Sequence, residues 1–316
     1  MTQLALICGG KSTEHEISLL SAQSILKHID RKNYQIHLIK IDKDGLWSLI
    51  NESQLSSKES GTSVTLWSQN GKVWMLDLSN GDKISTIDVV FPVLHGINGE
   101  DGTIQGFLSL LNVPFVGCGV LASAACMDKD ITKRLLEKEG IPTAPYQCAT
   151  FDHIPNYSTL AEELGEVLFI KPANLGSSVG VFKVKNAEEY RSKIQESFLY
   201  DHKILIEKAI EGKEVECSVL GNREIKTATP GEIITATEFY DFASKYVDKN
   251  ASRTLIPADI SSDQIEKVKE MAANAYRILG CEGLARVDFF VCHTGEVMIN
   301  EINTMPGFTT ISMYPA

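Results

Sequence analysis

Two rhythms of apolar residues divide this chain. Residues 4–8 are apolar without a break, as in a strand covered on both faces, and the turn Gly9-Gly10-Lys11-Ser12 follows. Ile17, Leu20, Ile25 and Ile29 then recur near helical spacing, which predicts a helix over about 14–29. Residues 34–42 alternate as a strand, 88–94 form a second buried-type strand, and Ile104, Phe107, Leu108 and Leu111 mark one face of a helix before a further strand at 114–117. Such βα alternation predicts a parallel sheet with helices on both faces. Residues from about 44 to 86 interrupt it. They carry the turn signals Asn70-Gly71 and Asn80-Gly81 with short strands around Trp47 and Trp74, and read as a hairpin insertion without chemistry of its own.

After about residue 120 the pattern changes. Met127-Asp128-Lys129 opens a helix carrying Ile131, Leu135 and Leu136, which Gly140 and Pro142 stop. Strands are predicted at about 146–150, 167–173, 181–185, 203–210, 214–220 and 231–237, with one helix among them at about 187–199. Residues 238–254 form a polar, aromatic-bearing loop, long for a compact domain and of the kind that serves as a lid or is disordered. A helix over 261–279 turns Ile265, Val268, Ala272, Ala275 and Leu279 inward. The expected segments are 1–121, 122–213 and 214–316.

The last of these contains the most telling pattern. Residues 284–303 read as two strands joined at Thr294-Gly295. If the turn centres on that pair, His293 faces Glu296, Asp288 faces Glu301 and Arg286 faces Asn303. Period-two alternation puts those polar groups on one face and Val287, Phe289, Val291 and Ile302 on the other. Two carboxylates opposed at roughly 5 Å repel by about 3 kcal/mol at an effective dielectric near 20. Oxygen ligands without His or Cys suit a hard cation such as Mg²⁺, which keeps positions open for phosphates. The pattern therefore suggests a nucleoside-triphosphate site. An ordinary hairpin with an exposed polar face fits the same periodicity.

Composition narrows the field. The 316 residues are 43% hydrophobic and 22% charged, ordinary globular usage with ample core. A net charge of −11 argues against nucleic acid or an acidic membrane as the main partner. The seven cysteines are scattered with no CxxC, as in a protein with reduced thiols in the cytosol. The chain start enters a strand at once with no basic segment or cleavage site, so no signal peptide is expected, and no apolar run approaches the length of a membrane span.

Three short motifs are set aside on context. Gly117-Cys118-Gly119 with Ala122 fits a dinucleotide fingerprint, but such a fingerprint belongs in the first βα turn. Gly176-Ser177-Ser178-Val179-Gly180 fits a hydrolase nucleophile elbow, but a strand follows it where a helix is required. No P-loop sequence occurs. The same Gly176–Gly180 run has another use. It follows Lys171-Pro172, and its backbone N–H groups and serines suit a phosphate cradle, although a plain hairpin turn fits as well. Residues 207–214 join two strands and could offer backbone groups to an adenine edge and a carboxylate to a ribose, though an exposed connection looks the same.

Taken in order, Gly9-Gly10-Lys11-Ser12-Thr13-Glu14, Leu94-His95-Gly96, Met127-Asp128-Lys129, Lys171-Pro172 with Gly176–Gly180, Tyr240 with Lys245-Tyr246, and Asn300-Glu301-Ile302-Asn303 through Gly307 resemble the D-alanine–D-alanine ligase family of the ATP-grasp superfamily. The match runs nearly end to end. It implies an α/β N-terminal domain with a Rossmann-like parallel sheet, followed by an α+β ATP-grasp fold whose two lobes hold ATP. The resemblance also implies roles. Asp288, Glu301 and Asn303 would bind two Mg²⁺ (or Mn²⁺) bridging the ATP phosphates. Lys129, Lys171 and Lys245 would meet phosphates, Glu207, Lys208 and Ile210 adenine, and Glu214 the ribose. Glu14 would orient the ammonium of the first D-alanine, with His95 nearby and Ser177 and Tyr246 completing a hydrogen-bonded set. Arg286 and the Gly307 N–H would stabilise the oxyanion, with Arg286 free to meet the reacting carboxyl. Ser312 and Met313 would lie beside the carboxylate of the second D-alanine.

The activity so implied is ATP-dependent joining of two D-alanines through a D-alanyl phosphate, for peptidoglycan, by a cytoplasmic homodimer. Relatives that make D-alanyl-D-lactate have histidine where Tyr246 stands, and relatives that make D-alanyl-D-serine tend to have arginine where Met313 stands. A nucleotide-binding module without catalysis would lack Glu14, Tyr246 and Ser312, all present here. The family pattern continues past Tyr314-Pro315-Ala316 into a further helix, so the sequence as given is expected to lack it.

Overall fold

A computed structural model describes residues 1–57, 61–235 and 252–316. The chain forms two compact units. The first comprises Met1–Ala124, Gly280–Ala285 and Thr304–Ala316, and the second Ala125–Leu279 and Arg286–Asn303.

The first unit is built on a seven-stranded sheet. Its strands are β1 (Thr2–Gly9), β2 (Tyr34–Ile41), β3 (Trp47–Leu49), β4 (Thr62–Gln69), β5 (Lys72–Asp77), β6 (Lys83–Ile87) and β7 (Val89–Pro92), in the order β6-β5-β4-β3-β2-β1-β7. Only β2, β1 and β7 run parallel, and β3 to β6 extend the sheet antiparallel. The sheet is therefore mixed. The residues expected to form a hairpin insertion do pair as antiparallel hairpins, and they lengthen this sheet, because Val64, Leu66, Val73 and Met75 continue the apolar face begun by Ala5, Ile7, Ile39 and Ile41. Asn70 and Gly71, both at positive φ, make the two-residue turn between β4 and β5. The unbroken apolar run of β1 is explained by two cores. Ala5 and Ile7 pack with Ile104 and Leu108 of α2 (Thr103–Leu110), while Leu6 and Cys8 pack with Ala22 and Leu26 of α1 (His15–His28). The expected strand at 114–117 is reduced to one bridge, Phe115 to Val90.

In the second unit, β8 (Tyr146–Thr150), β9 (Leu168–Pro172), β10 (Phe182–Val184) and β11 (Lys203–Lys208) form an antiparallel sheet in the order β10-β9-β11-β8. Leu168, Ile170, Ile204 and Ile206 face a core with Leu160, Tyr190 and Ile194. The alternate residues Lys171, Leu205 and Glu207 therefore project from the other face. The second sheet contains β12 (Gly212–Leu220), β13 (Lys226–Thr227), β14 (Gly231–Thr235), β15 (Ser252–Leu255), β16 (Leu284–Cys292) and β17 (Val297–Asn303). Its order is β15-β14-β12-β16-β17, with β13 beside β12. Among the described residues its helices are α3 (Val120–Met127, starting in the first unit), α4 (Lys129–Lys138), α5 (Tyr157–Leu164), α6 (Ala187–Ser197) and α7 (Ser262–Ile278).

Helices α3 and α5 were not expected from periodicity, being eight residues each. Strand β15 overlaps the loop expected at 238–254, of which residues 238–251 lie outside those described. A capping box at Ser261 and Gln264 starts α7, and Val268, Met271, Ala272, Ala275 and Tyr276 are its buried side. No helix among the described residues is long and apolar enough to cross a membrane.

Candidate active site

The β16–β17 hairpin brings Asp288 opposite Glu301 and Arg286 opposite Asn303, as the count from the turn required. It does so through two departures that cancel. Near the turn the pairs run Val291–Val297, Phe290–Met298 and Phe289–Ile299, and Cys292 N–H donates to Glu296 O at 2.8 Å, so His293 does not face Glu296. A bulge then shifts the register by one between Asp288 and Phe289. On β17 it leaves Val297, Ile299 and Ile302 buried, with the consecutive Asn300 and Glu301 both partly exposed. Lys171 Nζ donates to Asn300 Oδ1 at 3.2 Å, and Lys129 Nζ lies 3.5 Å from Glu301 Oε2. The bulge thus turns two neighbouring polar residues toward Lys171 on the other sheet and Lys129 at the start of α4.

The opposed carboxylates are offset by separate cations. Arg286 Nε and Nη2 donate to the two oxygens of Asp288, each at 2.7 Å, and Nε lies 3.1 Å from Glu216 Oε2 on β12. Burial works against the Arg286 charge, but Asp288 and Glu216 more than offset it and hold the guanidinium above its ordinary range. Asn303 Nδ2 also donates to Asp288 Oδ2, at 3.0 Å. Arg286 is therefore clasped by two carboxylates through Nε and Nη2, which fixes the guanidinium that was expected to be free for substrate.

A second charge cluster lies under β9 and β11. Glu207 is buried, with Oε2 2.6 Å from Lys171 Nζ and Oε1 3.0 Å from Lys133 Nζ. Burial pushes the Glu207 carboxyl up, yet the two ammonium groups hold it down at about 2. Lys171 is depressed by burial, but Glu207 reverses this and raises it above its usual value. The Glu207 side chain is thus committed to lysines. In the same run, Lys208 N–H donates to Pro145 O at 2.9 Å and its side chain is exposed, while Ile210 is half-buried. Glu214 is half-buried on β12, two residues before Glu216 and on the same strand face. Ser177 and Ser178 have φ of 53° and 58°, two successive left-handed residues without the freedom of glycine, in a half-buried turn. Lys129 Nζ reaches Leu175 O at 2.6 Å beside that turn. Lys245 and Tyr246 lie outside the described residues.

The first unit holds the remaining candidates in a different way. Glu14 is buried at the start of α1, and a Cβ on Gly96 (φ +71°) would come within 2.6 Å of Glu14 Oε2. The left-handed backbone favours glycine there, and any added side chain would displace the Glu14 carboxylate. His95 is buried, with Nδ1 3.0 Å from Met305 O and Nε2 3.0 Å from Ser21 Oγ. A carbonyl only accepts, so Nδ1 carries hydrogen and the tautomer is set. Ser21 Oγ in turn accepts from Phe308 N–H at 3.1 Å, and Glu100 accepts from Gly96 N–H (2.8 Å) and Met305 N–H (3.2 Å). These bonds pin both sides of Gly307. Ser312 Oγ accepts from Thr309 N–H at 3.1 Å and would stand 2.8 Å from a Cβ on Gly307. Met313 is buried.

Several of these groups carried no readable signal in the sequence. Ser21 and Glu100 act through backbone partners distant along the chain, and Glu216 matters only because β12 neighbours β16. Lys133 sits on a helix whose burial inverts the usual rule: α4 buries Asp130, Thr132, Lys133 and Leu136 and exposes Ile131 and Leu135. Among the described residues no group of three or more His, Cys, Asp or Glu side chains is arranged to hold a metal. The set at the hairpin is two opposed carboxylates and an amide, all oxygen donors, which fits a hard divalent cation that keeps other positions open.

Fold and site define the class: an ATP-dependent ligase with an α/β unit and an ATP-grasp pair of sheets. The profile described as D-ala D-ala ligase N-terminus matches residues 3–118, and that described as D-ala D-ala ligase C-terminus matches 135–316. D-alanine–D-alanine ligase A of Escherichia coli strain K12 is 43% identical across 99% of this chain and 89% of that protein. D-alanine–D-alanine ligase of Shouchella clausii strain KSM-K16 is 46% identical across 99% and 88%. The solved D-alanine–D-alanine ligase of Coxiella burnetii superposes with a TM-score of 0.86 at 37% identity, covering 100% of this chain and 89% of that one. The VanG D-Ala:D-Ser ligase of Enterococcus faecalis gives 0.87 at 34% identity, covering 99% and 93%. The chain belongs to the D-alanine–D-alanine ligase family.

Proposed function

We propose that this protein joins two D-alanines into D-alanyl-D-alanine, converting ATP to ADP and phosphate, as a step toward peptidoglycan. The observation that carries this reading is the facing of Lys129 and Lys171 with Glu301 and Asn300, beside the opposed Asp288. That is an arrangement for a polyphosphate rather than for an ordinary hairpin surface.

The chemistry needs such a floor. A carboxylate is a poor electrophile and must be activated by phosphoryl transfer, yet the carboxylate and the triphosphate are both anions. Lys129 and Lys171, with Lys245, bind and neutralise phosphate oxygens as the first D-alanine carboxylate attacks the γ-phosphorus and ADP leaves. Glu14 holds the ammonium of that D-alanine and so fixes which acid is presented. The amine of the second D-alanine then attacks the acyl carbon. The Gly307 N–H, held in place through Met305 and Phe308, and Arg286 meet the developing oxyanion, and phosphate departs as the amide forms. Ser177 with Tyr246 positions groups rather than acting as a nucleophile, Glu214 takes the ribose, and Ser312 and Met313 stand by the second carboxylate. Asp288, Glu301 and Asn303 would hold Mg²⁺ or Mn²⁺, which supplies charge neutralisation at the phosphates. A homodimer and a cytoplasmic location belong to the same reading.

A second reading, D-serine as the second substrate, is favoured by the VanG likeness. Met313, where an arginine is expected of such enzymes, favours D-alanine. Phosphate release from ATP with D-alanine alone, with D-serine added and with D-lactate added separates them. D-alanine alone is expected to support one phosphate per dipeptide, and turnover that requires D-serine or D-lactate would overturn the reading.

A further inference from the structure

We propose that Lys133, buried on α4, is a positioning residue that keeps Lys171 electrically positive toward the phosphates of ATP. The inference rests on the ATP site proposed above and deepens it.

Lys133 is 1% exposed, and its ammonium meets only protein: Glu207 Oε1 at 3.0 Å, Ala144 O at 2.9 Å, and the Tyr146 ring with its centroid 5.1 Å away. Glu207 is divided between two lysines, its other oxygen taking Lys171 at 2.6 Å. Of the three charges only Lys171 continues to the polar face, where it meets Asn300. Lys171 faces Leu205 across the ladder, so Glu207, two residues further along β11, is its diagonal neighbour on the face opposite the apolar core.

A single buried carboxylate would be enough to hold a lysine in one place, but it would also neutralise it, leaving no net attraction for an anion. A second lysine on the same carboxylate restores one positive charge while Lys171 stays held. An apolar cluster of similar volume would be at least as stable as buried charges, so stability alone does not account for the trio. Lys133 is thus placed to tune the charge at the surface without touching ligand.

The test is equilibrium binding of adenosine and of a non-hydrolysable ATP analogue with Mg²⁺ to the full chain, without D-alanine. Lys133→Met is expected to weaken the triphosphate by at least tenfold, about 1.4 kcal/mol, with adenosine changed less than twofold. Lys133→Arg keeps a second cation on Glu207 and is expected to hold triphosphate affinity within threefold of the unaltered protein. Lys133→Gln keeps a polar group beside Glu207 and Ala144 without the charge, and carries the test with the same selective tenfold loss if Lys133→Met does not fold. Equal losses for adenosine and triphosphate, an unchanged triphosphate affinity, or a Lys133→Arg variant weakened tenfold or more would each overturn the proposal. Failure of the unaltered protein to bind the triphosphate would instead overturn the ATP site on which it rests.

Discussion

The two units hold their functional groups by different physics. In the first, His95 and the backbone on both sides of Gly307 are fixed by directional hydrogen bonds: Ser21, Glu100, Met305 and Phe308 serve mainly to place N–H and C=O groups. In the second, position is set by charge against charge. Arg286 is clasped by Asp288 and Glu216, and Lys171 and Lys133 share Glu207. A zwitterionic amino acid needs directional partners, and hydrogen bonds supply direction. A polyphosphate needs compensation of several negative charges, and preorganised cations supply it without reorganising during the reaction. Hydrogen-bonded networks lose function by misplacement; networks of ion pairs lose it by imbalance.

The sharpest test of that contrast is Asp288→Asn. It removes one charge from the floor and one partner from Arg286, and kcat/KM for ATP-dependent phosphate release is expected to fall by roughly 10³. A loss of less than tenfold would take Asp288 out of the phosphate-handling set. Gly96→Ala probes misplacement. The new Cβ meets Glu14 Oε2 at 2.6 Å on a backbone at φ +71°, so KM for D-alanine should rise by about a hundredfold while nucleotide binding stays the same. Loss of nucleotide affinity in that variant would mean that the two sides are not separable.

His95→Leu leaves the Met305 carbonyl and the Ser21 hydroxyl without their partner and is expected to lower unfolding free energy by roughly 2 kcal/mol in urea titrations. The smallest effect separates the units by pH. Glu207 is held down at about 2 from 4.5, so its contribution to stability is complete above about 4.5 and is lost as pH falls toward 2. Lys133→Met/Glu207→Gln should lose less stability between pH 5 and pH 3 than the unaltered protein does; an equal loss would say that this cluster does not govern acid unfolding.

Much of this was legible in the residues. The buried runs of β1 and β7, the helix of α1, the stop after α4 and the capping box of α7 all follow from local patterns, and the ordered motifs identify the family. The hairpins of the 44–86 region were legible, but not their union with the main sheet, because turn signals report local reversals and not which edge a strand joins. The 114–117 strand was overestimated, since an apolar run does not guarantee a partner along its whole length.

The hairpin shows where the boundary lies. Its carboxylates were placed opposite one another by counting from a turn that the chain does not make, and a bulge restored the count. The trace of that bulge was in the sequence, because Val297 and Ile299 share a parity that Ile302 breaks. Sequence alone determined which elements form and which chemical groups stand together on one strand face, since both depend on spacing along the chain. Only the tertiary structure decided which charge answers which. The pairing of Arg286 with Glu216, of Lys133 with Glu207 and of His95 with Met305 depends on sheet order and helix placement, and no local spacing encodes contacts between residues 70 to 210 positions apart.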